Sequence, residues 1–427
     1  MHLRSSRRLR AAAGGAVALV LALTGCSAAE PEFSYTPPQQ VDAALPDDVT
    51  AQLQAAVEQA MVATGASGAI VGVWVPWSGE WVAGLGTQAV GSDEKVTPDM
   101  SFRVADVTRM MTCDVLYGMA DENRIELDTP VPKYVSGVGD LSDITLLDLC
   151  NGTSGIGSSE GVVKPYWLNT PERDWQPLQL ASFGLGAQRG PAHTAYRDSD
   201  AAYLLLGSAL ERASGQSAAE LIAQYVTTPL GLESTSLPRG ASEPKPAPAL
   251  KGAYLPAIEG GYDCTAPIDV TSSSSSIGFT DSGVVSNIAE LGRYTQATAR
   301  QALRDENATP ARWGSPLPAS ASAPAWYQAT GGAYLVGSMI GQHGWVPGYA
   351  TSAYSDPATG FTVAVTLNNS SAGSSPVAYL AWQLAAIASK APAAEGQTAP
   401  DFGLPFTAEQ YATTIASGAI CAAPAAE

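Results

Sequence analysis

In residues 101–111, SFRVADVTRMM, an aspartate and an arginine stand three positions apart, Asp106 and Arg109. On a helix that spacing puts both side chains on one face, where a carboxylate and a guanidinium pair with each other. The carboxylate also gains from a helix N-terminus. Neither group is suited to nucleophilic catalysis. A guanidinium stays protonated at any physiological pH and cannot act as a base, and an ionised carboxylate is a poor acyl acceptor. A hydroxyl nucleophile with an amine base is another arrangement that spacing can reveal. Ser-x-x-Lys occurs at Ser92 with Lys95, among acidic loop residues, and at Ser242 with Lys245, which encloses Pro244; both read as chance matches. No Gly-x-Ser-x-Gly elbow is present. Beyond the N-terminal segment the only histidines are His193 and His343, which leaves little room for a Ser-His-Asp triad.

The elements that must position Asp106 and Arg109 follow from hydrophobic patterning. Helix continues past them through 112–119. Upstream, Pro46 and Asp47-Asp48 open an amphipathic helix with Val49, Leu53, Val57 and Met61 on one face and acidic residues in its first turn. Two β runs, 68–76 and 80–86, flank Trp77-Ser78-Gly79 as a hairpin and begin an α+β arrangement. Strand-like runs return at 333–339, 351–355 and 361–367, with a turn at 356–360, before an amphipathic helix over 376–389. The nearly all-serine stretch 271–276 reads as a surface loop.

The N-terminus carries Arg4, Arg7, Arg8 and Arg10, an apolar run over 11–23, and then Leu23-Thr24-Gly25-Cys26. The apolar run is too short to span a bilayer and reads as an export signal over 1–25. The tetrapeptide is similar to a bacterial lipobox, in which the cysteine becomes the lipid-bearing mature N-terminus. Residues 26–46 lack hydrophobic periodicity and read as a flexible tether. The net charge is -18, and removing the signal's four arginines takes it to -22. Nucleic acid is excluded as a partner, and a lipid rather than a basic patch is expected to supply the membrane contact. Past Cys26 the cysteines are Cys113, Cys150, Cys264 and Cys421, an even set that permits disulfides in an exported protein with three connectivities open. Their spacing matches no zinc pattern, and no metal or cofactor is expected.

The frame Phe102, Arg103, Ala105, Thr108 resembles the active-site segment of the serine β-lactamase and D-alanyl-D-alanine carboxypeptidase superfamily, Phe-Arg-x-Ala-Ser-x-Thr-Lys. Asp106 takes the serine's place and Arg109 the lysine's. The resemblance continues through Asn123-Arg124-Ile125-Glu126-Leu127-Asp128 and through 144–155, where Gly152 replaces a histidine. It is dense over 201–237, resumes at Gly283-Val284-Val285-Ser286, and covers about 47–390, leaving a C-terminal tail over 391–427. It implies one antiparallel sheet flanked by helices and packed against an all-helical lobe. Counting back without gaps from Tyr203 and Gly207 places the second family motif, Tyr-Ser-Asn, on Asp198-Ser199-Asp200. A register with a two-residue insertion would use Tyr196 instead. Anchoring on Pro347-Gly348-Tyr349 places the third motif on Gln342-His343-Gly344. There His343 points away if the strand alternates and inward if it bulges. The resemblance also implies Cys113 with Cys150, which would leave Cys264 for Cys421.

With nucleophile, base and tyrosine all replaced, the resemblance implies a catalytically inactive, membrane-tethered extracytoplasmic module that binds or regulates. Asp106, Asp198 and Asp200 around Arg109, with Gln342 and Gly344, would line an acidic cleft for a cationic cell-wall peptide or an envelope protein. Trp326, Tyr327, Tyr334 and Trp345 could line that cleft or pack around it. Two alternatives are a hydrolase using Asp106 and Asp198 as acid and base, and a serine hydrolase whose nucleophile lies elsewhere. Arg109 between the two aspartates would hold both ionised, which argues against the first.

Overall fold

This computed structural model describes residues 35–138, 141–304, 308 and 310–421. The signal over 1–25, Cys26 and the tether as far as residue 34 lie outside the described residues. Eight antiparallel strands form the main sheet in the order Gly79–Gly86, Gly68–Val75, Thr362–Leu367, Tyr349–Ser355, Met339–Val346, Ala333–Val336, Tyr327–Thr330 and Leu317–Pro318. Residues 68–75, GAIVGVWV, carry four β-branched side chains and are almost wholly buried, as befits a strand covered on both faces. Alternation sends successive residues to different cores. Val71, Val73, Val363 and Val365 face the helices Asp47–Thr64 and Ser375–Ala388, whereas Ile70, Ala364 and Ala353 face the helices Val107–Asp121 and Ile288–Ala299 and the helical lobe beyond them. The architecture is α+β, with helices on both sides of one antiparallel sheet. Among the described residues no helix is long and apolar enough to cross a membrane.

Both disulfides pair as the resemblance implies, Cys113 with Cys150 and Cys264 with Cys421. The first joins helix Val107–Asp121 to helix Leu146–Asn151. The second fixes the tail, whose helix Ala408–Ser417 lies against the helices Ser375–Ala388 and Asp47–Thr64.

Three expectations are corrected. The strand read over 333–339 breaks after Val336. Gly337, at φ +64°, makes a two-residue turn, and the chain returns as Met339–Val346, pairing Val336 with Met339. Residues 35–46 are not free spacer, because they satisfy the backbone of an otherwise open sheet edge. Val41 N–H donates to Pro76 O at 3.1 Å, Leu45 N–H donates to Glu80 O at 3.0 Å, and Glu80 N–H donates to Ala43 O at 2.8 Å. The serine stretch is not a surface loop either: Ser273, Ser274 and Ser275 are buried. The reason is Arg103, whose guanidinium enters the interior without a carboxylate partner among the described residues. It donates to Ser275 Oγ at 2.5 Å, to Ser242 O at 2.9 Å and to Ser273 O. A buried cation needs acceptors, and here one serine hydroxyl and two serine backbone carbonyls supply them.

Candidate functional site

The turn from strand Phe102–Arg103 into helix Val107–Asp121 passes through Ala105 at φ +50°, a left-handed conformation uncommon for a residue with a Cβ. Asp106 follows at the N-cap, but its side chain makes no capping hydrogen bond and turns to Arg109 instead. Arg109 Nη2 lies 3.2 Å from Asp106 Oδ2, Nη1 2.6 Å from Asp198 Oδ1, and Nε 2.7 Å from Asp281 Oδ1. All three guanidinium nitrogens are thus engaged by carboxylates, and the Tyr203 ring lies 5.0 Å from its carbon.

Each carboxylate is positioned by backbone. Asp198 sits just before helix Asp200–Ser214, which Ser199 caps by accepting from Ala202 N–H at 3.1 Å. Asp281 lies in the four-residue helix Phe279–Ser282. That turn is tied to its neighbours by Thr112 Oγ1 donating to Thr280 O at 2.7 Å and Thr280 Oγ1 donating to Tyr203 O at 2.8 Å. Asp106 rests on strand Met339–Val346 at Gly344, where an added Cβ would stand 2.1 Å from the Asp106 carboxyl carbon. Gly344 is needed because this carboxyl occupies the room a side chain would take.

Burial distributes these groups unequally. The Arg109, Asp106 and Asp281 side chains are 5%, 12% and 7% exposed, while Asp198 is 58% exposed. Burial pushes the Asp106 carboxyl well above its ordinary range. Arg109 opposes that shift, and Asp281, Asp198 and Glu160 add to it. Burial likewise raises Asp281, to about 6, against the pull of Arg109. Burial thus works against the expectation that the arginine holds its neighbours ionised. Three carboxylates face one cation, and two of them have lost most of their water. Burial would lower Arg109, but the carboxylates outweigh it and keep the guanidinium charged.

Other expected positions are arranged differently. Asp200 does not reach Arg109; its Oδ1 accepts from Ser159 N–H at 2.7 Å and Ser158 Oγ–H at 2.9 Å. Gln342 is buried and lines no open cleft, since its Nε2 donates to Gly332 O at 3.0 Å and its Oε1 accepts from His343 N–H at 2.8 Å. His343 points away from Asp106, with Nδ1 2.7 Å from Tyr354 Oη and its ring stacked on Tyr334 at 4.7 Å. Burial lowers its pKa to about 4. Tyr196 packs on Gly152 and donates to Tyr334 Oη at 3.1 Å, so Asp198 and not Tyr196 holds Arg109. Trp326, Tyr327 and Tyr334 belong to the aromatic core around Trp382. Trp345 instead donates from Nε1 to Glu160 Oε1 at 3.1 Å, under Lys164 Nζ at 4.6 Å from its ring. Burial and the neighbouring aspartates raise Glu160 to about 7. His193 is exposed and pairs with Asp148 at 3.0 Å. Neither Ser92 with Lys95 nor Ser242 with Lys245 lies on a helix. Among the described residues no group of three or more His, Cys, Asp or Glu is disposed to hold a metal ion.

Sequence reasoning missed Asp281 and Glu160. Asp281 directly precedes the Ser282-Gly283 at which the family pattern resumes, the one local signal that could have drawn attention to it.

The sheet, the helical lobe and the motif frame around Asp106 define a protein of the serine β-lactamase and DD-peptidase superfamily. A family model described as Beta-lactamase matches residues 53–387, and the chain belongs to that family. Among curated proteins it is 29% identical over 155 residues to the D-alanyl-D-alanine-carboxypeptidase/endopeptidase AmpH of Escherichia coli (strain K12), a match covering 34% of this chain and 39% of that one. It is 24% identical over 268 residues to a D-aminopeptidase of Brucella ovis, covering 58% of this chain and 47% of that one. The chain thus spans less than half the length of either relative. Of solved structures, a D-stereospecific amidohydrolase from Streptomyces sp. superposes with a TM-score of 0.65 at 23% identity, over 76% of this chain and 95% of that one. The octameric penicillin-binding protein homologue from Pyrococcus abyssi gives 0.63 at 18% identity, over 79% and 76%. At such identities the likeness is one of fold.

Proposed function

We propose that this Beta-lactamase-family chain does not form acyl-enzymes and acts outside the cytoplasmic membrane, tethered by a lipid on Cys26, as a cell-envelope binding or regulatory module. The observation that carries this reading is the three-way engagement of Arg109. Where the resemblance expects a lysine able to lose its proton, a permanently charged group is held on every nitrogen by Asp106, Asp198 and Asp281. Asp106 in turn fills the space against Gly344. Two disulfides suit an oxidising, extracytoplasmic setting. Exposed Asp198 leaves a negative entrance that fits an amine-bearing ligand such as a cell-wall stem peptide.

A second reading, acid–base hydrolysis through Asp106 and Asp198, is favoured by one observation. Burial raises the Asp106 carboxyl well above its ordinary range, the direction that suits a general acid. The full chain incubated with a fluorescent penicillin and a generic ester separates the two readings. The binding-module reading expects no covalent label and no turnover, with measurable binding of a stem peptide by calorimetry. Labelling, or ester turnover abolished by Asp106→Ala, would overturn it.

A further inference from the structure

A cavity of about 190 Å³ shares no lining residue with the Arg109 cluster and lies between residues 37–40, Trp74 and helix Ile288–Ala299. Its wall is the Trp74 indole, which lies against Gly72 and Gly292, where any added Cβ would stand within 2.4 Å of the ring. Pro37 and Pro38 also line it. The segment is fastened by Tyr35, which donates to Gln296 Oε1 at 2.9 Å, while Gln296 Nε2 donates to Gly360 O at 2.8 Å. Arg293 lines the cavity, and Arg300 is the C-cap of the same helix, seven residues further on. Both are exposed, and neither has a carboxylate partner among the described residues, although the chain carries -18 overall. Arg300 donates to Pro357 O at 2.6 Å, and both cations act on the Tyr35 phenol.

Chain length makes this face special. Nine residue steps separate Cys26 from Tyr35, which at full extension reach about 30 Å. A lipid on Cys26 therefore holds the Tyr35 face within about that distance of the bilayer and allows no larger separation. We propose that this is the membrane-facing side of the domain, and that the cavity takes the phosphate-bearing headgroup of an anionic phospholipid. Arg293 and Arg300 would meet the phosphate, with Trp74 and the prolines meeting the glycerol and first methylenes. The orientation rests on the lipid-tether reading above, whereas the headgroup site does not.

The test uses the full lipidated chain on vesicles of phosphatidylcholine with or without phosphatidylglycerol, read by hydrogen–deuterium exchange. Exchange over 35–45 and 288–300 should slow several-fold only where phosphatidylglycerol is present. In Arg293→Glu/Arg300→Glu that protection should vanish while the acyl chains keep the protein on both vesicles; Arg293→Gln alone should give a partial loss. Equal protection on both vesicles, or protection unchanged by the substitutions, overturns the proposal. A Cys26→Ser full chain titrated with soluble dihexanoyl-phosphatidylglycerol isolates the cavity from the tether. Saturable binding that weakens about tenfold in the double variant supports the site even if mass spectrometry finds no acyl group on Cys26. Absence of binding overturns the site even if the tether is present.

Discussion

Arg109 and its three carboxylates leave a surplus of negative charge in a region that has lost its water, and pH should read that surplus directly. The folded-state pKa of Asp281, about 6, stands above the ordinary carboxylate value. The folded state therefore binds this proton more tightly than the unfolded chain does. The stabilisation is fully present below the unfolded value near 4 and is lost as pH rises through about 6, an effect of about 3 kcal/mol. Asp106, raised by the same burial, acts in the same direction. Asp281→Asn keeps an acceptor for Arg109 Nε but removes the titration. Denaturant unfolding at pH 4.5 and pH 7 should show the variant gaining about 2 kcal/mol relative to the parent across that interval, which starts above the unfolded value and so captures only part of the effect. A difference independent of pH would mean that Asp281 is ionised throughout. None of this was legible in 101–111, which shows only the Asp106 and Arg109 pair. Asp281 stands 172 positions from Arg109 in a four-residue helix with no hydrophobic period to mark it, and its role exists only once Thr112 and Tyr203 hold Thr280.

Elements were legible where one face repeats with a regular period or an apolar run ends in turn residues. The helix over 47–64 follows from its helical stripe, while the hairpin over 68–86 and the helix over 376–389 follow from apolar runs bounded by turn residues. The serine stretch 271–276 failed that test because polar side chains normally mean solvent, and here interior partners reverse the inference: Arg103 donates to Ser275, while Ser274 donates to Asp174 and Ser273 to Val270 O. Residues 35–46 were misread for a related reason, since they are fixed by backbone bonds and by isolated side chains such as Tyr35 and Gln40, which make no periodic pattern. The tail beyond 391 is the element whose order depends most on one covalent bond. Helix Ala408–Ser417 has only Tyr411 and Ile415 buried, while Cys421 ties its far end to Cys264 across 157 residues. Closing so long a loop stabilises by roughly 2–5 kcal/mol. Cys264→Ser/Cys421→Ser should open the tail locally rather than unfold the body, because both hydrophobic cores have most of their members outside it. Limited proteolysis with mass spectrometry should then cut first within the exposed stretch 395–401. Cleavage no faster than in the parent would show that the helix holds by packing alone.

At the scale of the whole molecule, the question is whether the Beta-lactamase fold still offers a site once its acylation residues are replaced. Restoring the family frame with Asp106→Ser, Arg109→Lys and Asp198→Tyr looks sufficient from the motifs. The structure gives a reason why it is not. A lysine ammonium at 109 extends one bond past the position of Arg109 Nε, which lies 2.7 Å from Asp281 Oδ1. A buried carboxylate at that distance holds an amine in its charged form and denies the serine its base. The triple variant should therefore label weakly or not at all with a fluorescent penicillin. Adding Asp281→Asn removes the counter-charge, lets burial lower the lysine pKa, and should raise the labelling rate by one to two orders of magnitude, about 10–100-fold for a shift of one to two pKa units. Labelling should also rise with pH in the quadruple variant, since the neutral amine is the active form. If the triple variant acylates as fast as the quadruple one, Asp281 does not hold the charge at position 109. If neither acylates while both stay folded, the family's substrate cleft has closed along with its chemistry, which strengthens the reading of this protein as a module that binds through its surfaces.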